Sequence, residues 1–162
     1  MLIMEVGNDA LNKAYRATVI IYISMVASVV SYVVVAEVLR STMQWQGVAF
    51  STQDALYPYL RIALLAFGIA IPIMVSQILR NVMLTPEKLA KPAGILTSYS
   101  IIMSALCEST AIYGLVLFVL AGNIMDMYIF AAISLALFAV FFPRYSRWTE
   151  LAGAQSGAPI FE

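Results

Sequence analysis

Apolar residues in this chain fall into four long unbroken runs rather than alternating with polar ones. The first, Ala17 to Leu39, spans 23 residues with Glu37 as its only charge. At about 1.5 Å per residue, a helix of that length covers the roughly 30 Å of a bilayer's hydrocarbon. The second, about Tyr57 to Leu79, carries Arg61 near its start and Pro72 inside, where a missing N–H predicts a kink. The third apolar segment, Ala93 to Ala121, is interrupted only by Glu108, and its spanning part is placed at about 97–121. The fourth, Ile124 to Phe142, has Asp126 at its edge and ends at Pro143. Continuous runs of this length predict helices, because an open sheet edge cannot be satisfied in lipid.

The expected fold is therefore all-α, a four-helix transmembrane bundle forming one membrane domain over residues 1–162. Its spans lie at about 17–39, 57–79, 97–121 and 124–142, and 149–162 is a polar C-terminal tail. Lys13 and Arg16 precede the first run as they would in a signal peptide. The run is nevertheless longer than a signal's apolar core and no small-residue cleavage site follows, so it is read as a retained span. Of the polar stretches between runs, 41–55, 81–92 and the two-residue turn Gly122-Asn123, none is large enough for a soluble domain.

Composition agrees with the pattern and narrows the chemistry. Hydrophobic residues make up 62% of the chain and charged ones 11%, against about 25% charged in an ordinary soluble domain. Nine basic residues balance nine acidic ones, so no overall field exists to gather nucleic acid. The absence of His excludes imidazole metal ligands and His-based acid–base catalysis. Cys107 is the single cysteine and is read as a packed thiol. No phosphate loop, dinucleotide fingerprint, zinc spacing or nucleophile–base pair is present, so neither an enzyme nor a cofactor or metal is expected.

Position matters more than net charge. Lys13, Arg16, Arg80, Lys88, Lys91, Arg144 and Arg147 fall on one side of the expected membrane, and only Arg40 and Arg61 on the other. This distribution predicts both termini in the cytoplasm, in a multi-pass protein of the cell inner membrane. Tyr15, Trp45, Tyr57, Tyr59, Tyr128, Tyr145 and Trp148 lie near span ends and are expected to anchor at headgroup level.

Glu108 is the residue most open to chemistry, because it falls near the middle of the third run, where an ionised carboxylate is costly. Such an acid either exchanges a proton or cation as its surroundings change, or hydrogen-bonds a neighbouring helix as a structural contact. At helical spacing Ser104, Ala105, Ala111 and Ile112 share its face, with Ser109 and Thr110 beside it. Thr110 and Gly114 also fit a small-xxx-small helix contact that needs no ion. Glu37 is expected to pair with Arg40 at the outer interface, with a second proton-exchange position as the alternative. Arg61 is expected to snorkel outward, and Asp126 to cap or approach the start of the fourth helix.

The stretch Ala105-Leu-Cys-Glu108-Ser-Thr-Ala-Ile-Tyr113-Gly114-Leu-Val-Leu resembles the ion-carrying helix of the proteolipid (c-type) subunits of rotary F- and V-type ATPases. The likeness is local to about a dozen residues around Glu108. It implies a proton- or sodium-binding acid at Glu108, with Ser104, Ser109, Thr110 and Tyr113 as further ion-binding candidates. It also implies a cytoplasmic loop between spans two and three. Glu37 and Gln77 are secondary candidates. Partners are then the bilayer, further copies of the chain or other membrane subunits. The wider layout also resembles small four-span bacterial membrane proteins.

Overall fold

A computed structural model describes residues 2–49, 51–83, 92–146 and 149–150. Four helices account for most of them: α1 (Leu2–Met43), α2 (Leu56–Met83), α3 (Pro92–Ala121) and α4 (Ile124–Val140). Three contain stretches long and apolar enough to cross a membrane, namely Leu11–Met43, Leu56–Val82 and Gly94–Ala121. At 17 residues α4 is shorter, about 25 Å, ending at Val140 before the expected limit at Phe142. The first helix is longer than its apolar run, 42 residues or about 63 Å, because the polar residues before Ala17 continue it without a break. The second helix runs on to Met83, past the expected limit at Leu79, and residues 84–91 lie outside the described residues, as does the tail from 151.

Contacts along the chain fix the directions of the helices. Thr18 meets Thr97, Tyr32 meets Glu108 and the Trp45 indole meets Val119, so α1 and α3 run parallel. Tyr22 meets Phe138 and the Tyr15 hydroxyl donates to the Pro143 carbonyl, so α4 runs antiparallel to α1 and returns to its starting end. The helix α2 is antiparallel to α3, with Tyr57 near its start clustered with Leu117 and Ala121 and Gly68 against Thr110. The resulting up-down-up-down order is what short connections dictate.

At the centre stands α3, with α1, α2 and α4 around it. Its interface with α1 and α4 is the larger core: Val29, Ala36, Cys107, Ala111, Phe118, Met127, Ala131 and Phe138 are all buried there. Two small residues set how close the neighbours come. A Cβ on Gly114 would lie 2.4 Å from the Phe130 Cβ, and one on Gly68 would lie 3.0 Å from the Thr110 Cγ2. Thr110 and Gly114 therefore serve two different partners, α2 and α4. Pro72 is buried inside an unbroken α2, and the adjacent exposed faces are apolar, as lipid requires.

The end of the bundle where α1 and α3 finish is closed by two interlocking turns. Gly122 follows α3 at φ +72° and donates to the Phe118 carbonyl at 2.7 Å, a left-handed helix stop. The segment after α1 crosses over this stop. Val48 and Ala49 donate backbone N–H groups to the Val119 and Leu120 carbonyls at 3.2 and 3.1 Å, and the Trp45 indole donates to Val119 at 3.1 Å. Carbonyls at the end of α3 that lack helical partners are thereby satisfied. Gly47, at φ +87°, comes so close that a Cβ there would lie 2.6 Å from the Leu120 oxygen.

Candidate functional site

Glu108 sits 14 residues after Gly94 and 13 before Ala121, about 20 Å from either end of the apolar stretch. Its side chain is half-buried, on the edge of α3 next to α1. There the Tyr32 hydroxyl donates to Glu108 Oε1 at 2.7 Å, the single hydrogen bond of this carboxyl among the described residues. Tyr32 lies 21 residues after Leu11 and 11 before Met43 in the apolar part of α1, and its hydrogen bond brings a phenol to the depth of the acid.

The hydroxyls expected around the acid are present but engaged elsewhere. Ser104 donates to the Ser100 carbonyl at 2.9 Å, Ser109 to the Leu106 carbonyl at 2.7 Å, and Thr110 to the Gly68 carbonyl of α2 at 2.8 Å. Tyr113 packs against the smaller cluster of Tyr57, Leu117, Ala121 and Phe130. Bonding of Ser and Thr to carbonyls three or four residues back is the usual arrangement inside an apolar helix. Gln77 is exposed on the C-terminal half of α2, away from Glu108 in depth.

A second polar cluster lies at the end of the bundle where α4 starts, and it corrects one expectation and narrows another. Arg61 does not turn outward, and of the two roles expected of Asp126 it takes the second, standing in the first turn of α4 without capping it. The cap is Asn123, whose side chain accepts from Met125 N at 3.1 Å. Asp126, one turn in, is completely buried and points at α2. Tyr57 donates its hydroxyl to Asp126 Oδ2, and Asn123 Nδ2 donates to the Tyr57 oxygen at 2.8 Å. Arg61 Nε meets Asp126 Oδ1 at 2.9 Å, an ion contact without hydrogen-bond alignment. A fully dehydrated carboxylate demands a cation more strongly than an interfacial Arg demands the headgroup region, so Arg61 turns inward. Tyr57 is correspondingly buried rather than an exposed anchor.

Glu37 pairs with Arg40 at 2.9 Å as expected, and also accepts from the Tyr128 hydroxyl. Both charges are partly exposed, so the pair is worth less than about 1 kcal/mol. Among the described residues no three His, Cys, Asp or Glu side chains cluster as metal ligands. Cys107 is buried, and its carbonyl accepts from Ser134 at 2.7 Å.

Two interhelical contacts were outside the sequence reading: Tyr32 with Glu108, and Tyr57 with Asp126 and Arg61. Each had a signal in matched depth, since the partners stand at equivalent distances along their apolar runs. No protein-family model matches the chain, and neither a curated protein nor a solved structure does.

Proposed function

We propose that the chain is an integral membrane protein whose Glu108, oriented by Tyr32, is a protonatable site for proton or cation translocation. One observation carries this reading: a carboxyl at mid-membrane depth holds one hydrogen bond through one oxygen and is only half-buried. An acid retained purely for packing is better sealed and bonded through both oxygens, because an unsatisfied polar group in hydrocarbon costs several kcal/mol. The position of the basic residues supports an orientation with both termini cytoplasmic.

The rival reading is a structural or assembly subunit in which the Tyr32–Glu108 bond simply joins α1 to α3. It is favoured by the engagement of Ser104, Ser109 and Thr110 with backbone carbonyls, which leaves no hydroxyl chain at the acid. Replacement of the carboxyl separates the two. Glu108→Gln keeps volume and hydrogen bonding but cannot release a proton, whereas Glu108→Asp keeps the proton on a shorter arm. In reconstituted vesicles under a pH gradient, translocation predicts no uptake by the Gln variant with the fold intact, and residual uptake by the Asp variant. Full uptake by Glu108→Gln removes Glu108 from any translocation path.

A further inference from the structure

Pro72 and Thr110 stand on different helices, yet one backbone carbonyl joins them. In a continuous helix the N–H of residue 72 donates to the carbonyl of residue 68. Proline has no N–H, and its ring pushes against that same carbonyl, so Gly68 loses its helical donor. A replacement comes from α3, where the Thr110 hydroxyl donates to the Gly68 carbonyl at 2.8 Å in a bond buried between the helices. An orphaned carbonyl inside a membrane is costly, and a hydroxyl on a neighbouring helix is one of the few donors able to reach it. Thr110 thereby forgoes the bond to its own helix that Ser104 and Ser109 make. Gly68 lets the two helices meet, since a Cβ there would lie 3.0 Å from Thr110 Cγ2.

That bond divides α2 into two differently held halves. Before Gly68, Tyr57 and Arg61 are tied to Asp126, and Tyr57, Leu60, Leu64 and Leu65 pack in the cluster of Leu117, Ala121 and Phe130. After Gly68, no described residue of α2 enters either buried cluster. From Ile69 to Val82 only Pro72 and Ser76 are buried, and Ser76 donates to the Ile73 carbonyl of its own helix at 2.7 Å. Bonds of that kind bend helices, so a second bending element follows the proline by one turn on the same side. The helix packs mainly on α3, so α1 and α4 do little to hold its second half in place.

On α3, Tyr99 and Met103 precede Thr110 by 11 and 7 residues, which at helical spacing puts them on the face that meets α2. Because Gly68 is level with Thr110 and the helices are antiparallel, the second half of α2 runs over these two residues. We infer that the segment from Gly68 to Pro72 is a hinge, latched by the Thr110 hydroxyl, on which the C-terminal half of α2 swings away from the Tyr99 and Met103 face of α3 while its N-terminal half stays fixed. The hinge is independent of any proton on Glu108, which faces α1 rather than α2.

Two measurements test it, one for the latch and one for the swing. Thermal unfolding compares Thr110→Val in the wild-type and Pro72→Ala backgrounds. With Pro72 in place, the change strips Gly68 of its donor and should lower the midpoint. In Pro72→Ala the restored N–H takes that carbonyl, and the same change should lower the midpoint far less. Thr110→Ser keeps the hydroxyl and should melt like the wild type. An equal loss in both backgrounds overturns the latch. For the swing, spin-label pairs are placed at exposed positions in a Cys107→Ala background in nanodiscs: Ile78→Cys with Ile102→Cys across the second half, and Ile62→Cys with Val116→Cys across the first. The first pair should give a broad or two-peaked distance distribution and the second a narrow one, and Pro72→Ala should narrow the first. Equally narrow distributions, or a first pair that stays broad in Pro72→Ala, overturn the hinge.

Discussion

Removing either member of the outer ion pair should destabilise the bundle, and the two removals should be unequal. Asp126 is fully buried, whereas the Arg61 side chain is 36% exposed. In Asp126→Ala the guanidinium can swing into the interface and regain water, so the cost is mainly the charged hydrogen bond from Tyr57, about 2 kcal/mol. In Arg61→Ala the carboxylate cannot reach water and keeps only Tyr57, so the cost rises to about 3–5 kcal/mol. The double variant loses the mismatch and should lie within about 1 kcal/mol of Asp126→Ala, far from the sum of the two. The assay is a double-mutant cycle on reversible unfolding in mixed micelles, with helicity as the readout. Additive effects, each under about 0.5 kcal/mol, would mean that Arg61 reaches outward to headgroups, and would refute the inward pairing.

Gly114→Ala should cost about 1–3 kcal/mol by forcing α4 away from α3, whereas Gly94→Ala, with open space around it, should be neutral or stabilising in the same unfolding assay. Gly122→Ala meets both a left-handed backbone and the Gln46 carbonyl carbon at 2.5 Å, and should open the outer turn, seen as faster amide exchange of Val48 and Ala49. Tyr32→Phe should lower stability by about 1–3 kcal/mol, the range for a hydrogen bond to a carboxyl that can be charged, in a thermal melt of the purified protein. Reporter fusions after Trp148 and within 44–49 should report opposite sides of the membrane, with the cytoplasmic signal at the C-terminal fusion.

The helices were legible because the length of each apolar run is a physical requirement of the bilayer. Their ends were less so: α1 begins at Leu2 because its polar start holds no proline and only one glycine, Gly7, and hydropathy measures only what lies in lipid. The rotation of each helix was hidden, and with it the identity of partners. Glu108 could be placed in depth but not assigned Tyr32, since a run that is apolar all round gives no amphipathic stripe to orient it. Arg61 and Asp126 show the same gap. Their shared outer depth and opposite charge were visible, but inward pairing depended on Asp126 facing α2, which follows from the tight fit of Phe130 over Gly114. The two glycines of the outer turns are conspicuous only once Gly47 and Gly122 lie back to back.

Infrared spectroscopy of the reconstituted protein addresses the account most directly, through the carbonyl stretch of a protonated carboxyl. The wild type should show such a band, absent in Glu108→Gln, that shifts on deuterium exchange and changes amplitude reversibly across a pH titration. A Glu108 band that neither exchanges with deuterium nor responds to pH would mark the residue as a sealed structural contact and contradict proton exchange at mid-membrane.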